Sequence, residues 1–145
     1  MSGRISVLIE AVVADANVLL SAVIGKAAQK VFSEHDVKVH AAEFNADEVR
    51  EYLPFMAEKY ALPMSLVDLR WRLLPLVIHK ASEYAGHYKK ALADLKGRDP
   101  EDAHALALAR ALGCPLWSNN RHLSKLGVPC YTTARLLKVL ETRQA

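Results

Sequence analysis

Short apolar runs bounded by turn or polar residues recur along the chain at 12–14, 37–41, 76–78, 115–117 and 128–131, and each predicts a buried strand. Longer stretches of helical character separate them. Between 46 and 60, Val49, Leu53, Met56 and Tyr60 recur every three to four residues while Asp47, Arg50, Glu51 and Lys59 fall elsewhere, which predicts a helix with one apolar stripe. A helix over 64–74 stops at Pro75, and another over 82–95 is interrupted by Gly86. Asp99-Pro100-Glu101-Asp102 reads as a helix start: Asp99 as N-cap, Pro100 in the first turn where its missing N–H costs nothing, and acidic Asp102 three residues past the cap. That helix runs over 103–112 and ends at Gly113. Thr133 caps a last helix carrying Leu136, Leu137 and Leu140, with Lys138 and Arg143 near its negative end.

Strands alternating with helices predict an α/β fold, a three-layer sandwich with a central parallel sheet of about five strands. No repeat or Gly/Ser linker divides the chain, so a single domain over 1–145 is expected. With 52% hydrophobic residues, a chain of this size can bury roughly 70% of its unfolded surface without disulfides or a structural metal. The two cysteines, Cys114 and Cys130, make neither a disulfide framework nor a four-ligand zinc site and are expected as free thiols. The most apolar stretch, 5–24, is interrupted by Glu10 and Asp15, which excludes a membrane span; with no exit signal recognisable, a cytoplasmic location is expected. A net charge of +3 permits an anionic partner without demanding one.

In parallel sheets the chemistry lies beyond the carboxyl ends of the strands, and that rule selects the polar residues to weigh. Asp15 directly follows the run 12–14, with Asn17 two residues on. Glu48 falls on the first turn of the 46–60 helix, and Asp99 and Asp102 at the start of the 103–112 helix. Each acid alone has a second explanation, since a carboxylate at a helix N-terminus gains about 0.3–1 kcal/mol from the macrodipole. Converging, they would repel: a pair about 4 Å apart costs about 4 kcal/mol at an effective dielectric near 20. A divalent cation would offset that, and oxygen ligands without Cys or His suit Mg²⁺ or Mn²⁺. The chemistry implied is metal-assisted phosphodiester hydrolysis. His104 and His122, two residues beyond Asp102 and position 120, are better explained as surface histidines than as ligands. His35, His40, His79 and His87 show no ligand spacing. Lys26, Lys30, Arg50, Lys96, Arg98, Arg121 and Lys125 recur near the supposed rim, where they could hold phosphates; Arg98 and Arg121, flanking Asp99 and position 120, are preferred for that role. Trp71 and Trp117 are expected as packing residues rather than base-stacking ones.

Four segments in order carry a family resemblance: V-V-A-D-A-N-V-L-L from Val12, E-V-R-E-Y-L from Glu48, R-D-P-E-D-A-H-A-L-A-L-A from Arg98, and W-S-N-N-R-H-L from Trp117. Together, over roughly 12–137, they resemble the PIN domain, a compact α/β sandwich many of whose members are Mg²⁺- or Mn²⁺-dependent ribonucleases, including VapC-type toxins of toxin–antitoxin pairs. The resemblance puts metal carboxylates on Asp15, Glu48 and Asp102 and an auxiliary acid on Asp99. It matches Ser118 to the hydroxyl that steadies the first Asp, and Asn17 to a small polar neighbour. The fourth position, usually an acid, falls on Asn120, which brings no negative charge and should weaken ion binding.

The resemblance therefore implies an endoribonuclease acting on single-stranded RNA. It also implies a cognate antitoxin as partner; the apolar, partly aromatic helices over 53–74 offer a surface for it or for a homodimer. The alternative is a catalytically weakened PIN-like module that binds RNA or a partner. A nucleotide-binding domain whose acids are mere caps is disfavoured, because neither G-x-G-x-x-G nor G-K-[ST] follows the first strand.

Overall fold

A computed structural model describes residues 9–96 and 99–144, the side chains of 143 and 144 excepted. Its five strands are β1 (Ala11–Ala14), β2 (Lys38–Ala42), β3 (Leu76–His79), β4 (Leu116–Trp117) and β5 (Cys130–Tyr131). All neighbours pair in parallel, in the spatial order β3-β2-β1-β4-β5. The helices are α1 (Ala16–Val23), α2 (Gln29–Glu34), α3 (Glu43–Lys59), α4 (Met64–Leu73), α5 (Ala85–Asp94), α6 (Pro100–Leu112) and α7 (Thr133–Gln144), with single 3-10 turns at Ala81–Glu83 and Arg121–Leu123. Strands are laid down outward from β1 to β3, and the chain then crosses to the other side of β1 to form β4 and β5. The order reverses between β1 and β4, which is where an open parallel sheet leaves a crevice at its carboxyl edge.

β1 and β4 are continuous apolar runs because both faces of the sheet are covered there, whereas β2 carries Lys38 and His40 and the edge strand β3 leaves Val77 and Ile78 exposed. Val12, Ala14, Val39, Ala41 and Trp117 face one core, filled by Val18, Leu19 and Val23 of α1, Val49 and Leu53 of α3, Trp71 of α4, and Leu136 and Leu140 of α7. Val13, Ala42 and Leu116 face a second, filled by Ala91 of α5 and by Leu106 and Leu108 of α6. α6 lies between the sheet and α5, so it is buried nearly all round, and its alanines let it approach the strands closely. Fully burying Leu106 and Leu108 contributes about 1.5–3 kcal/mol each. The three-layer α/β sandwich expected from the pattern is the architecture observed.

Several elements differ in detail from the sequence reading. α3 starts at Glu43, three residues before the expected start, because β2 runs straight into it at Ala42 with no capping side chain. Pro54 is tolerated inside α3 on its exposed face, where the Arg50 carbonyl it leaves without a partner can meet water. The 82–95 stretch splits into a 3-10 turn and α5, and Gly86 falls in the first turn of α5 instead of breaking it. Pro100 opens α6 as expected, but Asp99 does not cap it with its side chain: its backbone is left-handed (φ 31°), and its carbonyl accepts from the Asp102 N–H at 2.9 Å. The cap of α7 is Thr132, whose Oγ1 accepts from Arg135 N–H at 3.2 Å, while Thr133 is turned inward to accept from the Trp117 indole N–H at 2.9 Å. Only Cys130 and Tyr131 of the 128–131 run form a strand. The cysteines are free, half-buried thiols, and Trp117 is packing, its ring set against Phe32. Among the described residues no helix is long and apolar enough to cross a membrane.

Candidate active site

Asp15 is the first residue past β1, and Ser118 the first past β4. The two strands pair Ala14 with Trp117, so their next residues emerge side by side although 103 positions separate them in sequence. Asp15 is 4% exposed and Ser118 fully buried. The Ser118 hydroxyl donates to Asp15 Oδ2, and the Val18 N–H in the first turn of α1 donates to Oδ1 at 3.1 Å. Cap and site position were rival readings of Asp15 in the sequence; the cap bond is present, and the carboxylate nonetheless reaches a cavity. Burial pushes its pKa above the usual carboxylate range, against the pull of its hydrogen bonds.

The cavity, of about 610 Å³, opens at the carboxyl edge of the sheet. Asp15 and Asn17 line it from the start of α1, Asn45 and Glu48 from α3, Asp99, Glu101 and Asp102 from the start of α6, and Asn120 from the turn after β4. α6 runs back toward the start of β4, so its N-terminus necessarily lies at the carboxyl edge, and its first turn delivers acids there. Glu48, now in the second turn of the longer α3, accepts from Asn45 Nδ2 at 2.8 Å; that amide also donates to the Glu101 carbonyl at 3.2 Å, tying α3 to α6. Asn120 Nδ2 donates to Asp102 Oδ2 at 2.8 Å, while Asn120 Oδ1 accepts from the His122 N–H at 3.0 Å. The Asn120 carbonyl, which the sequence left available to an ion, is therefore engaged by backbone, and the residue acts as a holder of Asp102.

These acids sense one another. Burial, then the charges of Asp15, Asp99, Glu101 and Glu48, raise the Asp102 pKa to about 6. Burial also raises Glu48, with the Asn45 bond opposing and Glu101, Glu51 and Asp15 adding to the rise. Among the described residues none of these carboxylates is ion-paired with a Lys or Arg, and like charge gathered in a half-enclosed space is what a hard cation relieves. Among the described residues no three His, Cys, Asp or Glu side chains are close enough to hold an ion directly. The oxygen donors present fit an ion bound through one or two carboxylates with water completing its shell, the usual habit of Mg²⁺.

The structure thus brings Asp15, Asn17, Glu48, Asp99, Asp102 and Asn120 to one cavity, with Ser118 directly behind Asp15. Arg121 is exposed on the 3-10 turn and outside the cavity wall. Arg98 lies outside the described residues. His104 is not at the surface as expected: it is half-buried, stacked on Phe44 with ring centroids 4.0 Å apart and bonded to the Tyr84 hydroxyl at 2.6 Å. His40 and His79, which showed no spacing, are joined at 2.8 Å, and His79 meets Glu83 at 2.9 Å, because β2–β3 register sets them on one face of the sheet. Sequence reasoning missed Asn45, which sat just outside the expected helix. Its Oδ1 is buried with no hydrogen-bond partner among the described residues.

A sequence profile of the PIN domain matches residues 13–141. No protein of curated function matches significantly. Among solved structures, a toxin–antitoxin complex from Klebsiella pneumoniae is similar over 84% of this chain and 97% of that one, with a TM-score of 0.60 at 20% identity. A Pyrobaculum aerophilum protein is similar over 92% of this chain and 90% of that one, with a TM-score of 0.66 at 15% identity. At these identities the likeness is one of fold.

Proposed function

The chain belongs to the PIN domain family, whose members are generally nucleases, and from that premise we propose that it is an endoribonuclease that hydrolyses phosphodiester bonds of single-stranded RNA with Mg²⁺ or Mn²⁺. One observation carries the reading: acids from three segments distant in sequence face a single cavity at the point where the strand order reverses. Asp15 and Asp102 are the residues to hold an ion, with Glu48 opposite and Asp99 at the rim. When bound, the ion supplies neutralisation of the charge that develops on the phosphate and activation of the attacking water. The remaining work belongs to side chains of the chain itself. Ser118 and the Val18 N–H fix the rotamer of Asp15; Asn120 fixes Asp102; Asn45 fixes Glu48. Glu48, facing the cavity and held by Asn45, is the group proposed to take a proton from water. Arg121, and Arg98 in the segment not described, are the cations proposed to meet RNA phosphates outside the acidic wall.

The test is incubation of the purified protein with single-stranded RNA and Mn²⁺. Cleavage that stops on chelation and in Asp15→Asn is expected; no cleavage by the wild type, or cleavage equal in Asp15→Asn, defeats the reading.

The toxin–antitoxin complex among the similar folds supports the further proposal that this chain is the toxin of such a pair, with an antitoxin as partner. Exposed Leu69 and Leu73 on α4 are apolar surface for that partner or for a second copy of the chain. Growth arrest on expression, relieved by the product of the adjacent reading frame, is the expected outcome.

The bond from Asn120 to Asp102 favours one second reading, a PIN module of weakened chemistry, since an amide stands where an acid is usual. Asn120→Asp should then lower stability without metal, by setting like charges against each other, and tighten Mn²⁺ binding in calorimetry. Unchanged affinity removes this reading.

A further inference from the structure

The cavity does not end with its carboxylates. Glu48, Tyr52 and Phe55 follow one another at four- and three-residue spacing on one face of α3, and Tyr60, just past the helix, closes the far end. At 1.5 Å per residue Phe55 lies about 10 Å along the axis from Glu48. Tyr52 is 53% and Phe55 59% exposed. They are not needed for packing, which α3 accomplishes with Val49, Leu53 and Ala57. Lys26, from the turn after α1, donates to the Tyr60 hydroxyl at 3.2 Å and stands 4.9 Å from the centre of its ring, and Lys59 lies 5.5 Å from the same ring. One end of a continuous cavity is therefore acidic, and the other is aromatic and cationic.

An occupant of the whole cavity must offer a phosphate where an ion would sit, then a flat apolar face, then an anion again. A single nucleic acid strand alternates those groups along its length, and a duplex does not qualify because its bases are already stacked on each other. We propose that Tyr52, Phe55 and Tyr60, with Lys26, form a nucleotide subsite that stacks an unpaired base about one or two positions from the scissile phosphate. The proposal rests on the nuclease reading, and it assigns to that reaction a preference for unstructured RNA that the carboxylates alone could not impose.

The test compares, by fluorescence anisotropy in Ca²⁺, the binding of a labelled single-stranded RNA and of the same strand with abasic residues. The wild type should bind the intact strand about tenfold more tightly, the scale expected of base–aromatic stacking. The double variant Tyr52→Ala/Phe55→Ala should bring that ratio to near one. Lys26→Ala should instead weaken both strands alike and reduce the salt slope by about one. Both rings are exposed, so the thermal midpoint serves as the folding control. A ratio unchanged in the double variant overturns the subsite, including the case in which the variant loses a protein partner instead. Cleavage by the wild type in Mn²⁺ judges the parent reading separately: base-dependent binding without cleavage removes the nuclease and leaves the subsite, and cleavage with base-independent binding does the reverse.

Discussion

Asp15 and Asp102 face the same cavity from supports of very different stiffness. Asp15 stands at the end of the central strand of the sheet, is almost fully buried, and is gripped by the Ser118 hydroxyl just past β4 and an amide from α1. Asp102 stands on the first turn of α6, is half-buried, and is held by the Asn120 amide, on a turn that is itself only partly buried. The approach to it runs through Asp99, whose left-handed backbone is uncommon for a residue with a side chain, though less so for Asp than for most. One wall is fixed by strand pairing and the other by side-chain contacts between loops and helix ends. From that difference we infer that, with an ion bound as proposed, the sheet wall would set its position and the helix wall would adjust to it.

The comparison can be broken most directly at Asp15. Asp15→Asn should reduce RNA cleavage at least about a hundredfold, the upper part of the range seen when a metal ligand loses its fixed support. It should also abolish the gain in melting temperature that Mn²⁺ confers on the wild type by binding only the folded state. A metal-induced gain that survives the substitution would place the ion on the helix wall alone. Ser118→Ala tests the stiffness of the same wall: it leaves a buried carboxylate short of a donor, and a loss of about 1–3 kcal/mol in urea unfolding is expected. Across the cavity, Asn45→Ala frees Glu48 and severs the link from α3 to α6, and about a tenfold fall in cleavage is expected with little change in stability.

The smallest effect is a pH dependence. Asp102 has a folded pKa pushed up to about 6, above the ordinary carboxylate range of the unfolded chain, so its ionisation opposes folding. Its neutral form adds stability below the unfolded value, and that contribution disappears as pH rises through about 6. In chelator, Asp102→Asn should therefore melt above the wild type at pH 7.5, and the gap should close toward pH 4. A gap that does not vary with pH would show that Asp102 is not charged against its neighbours. The lining acids Asp15 and Glu48 are shifted in the same direction, so in Asp102→Asn the fall of stability with pH should be shallower than in the wild type without vanishing.

The sheet wall was the more legible of the two in the sequence. A short apolar run ending in Asp15 fixes that residue at a strand terminus by pattern alone, and the parallel-sheet rule then marks it. Ser118 was reached through the family resemblance, since no local spacing shows that a residue 103 positions away will be its neighbour. On the helix wall Asp99-Pro100-Glu101-Asp102 announced a helix start, yet the role of Asp99 was misassigned: a side-chain cap and a left-handed backbone are alternatives that the sequence does not separate. Asn45 was missed because the boundary of α3 was placed three residues late, which is the ordinary error where a strand runs into a helix without a capping side chain. The pairing of His40 with His79 depends on strand register, which the sequence pattern left open. Arg121 was chosen for adjacency to Asn120, but a 3-10 turn carries it away from the cavity.

Placing β1 between β2 and β4 has a consequence for synthesis as well as for geometry. A ribosome that has released Asp15 must still produce the 103 residues to Ser118 before the serine can meet it, roughly 5–20 s at ordinary rates of elongation. Until then the nascent chain has an incomplete centre. Under the nuclease reading proposed above, the centre could not act on the message that is still encoding it before Ser118 has emerged.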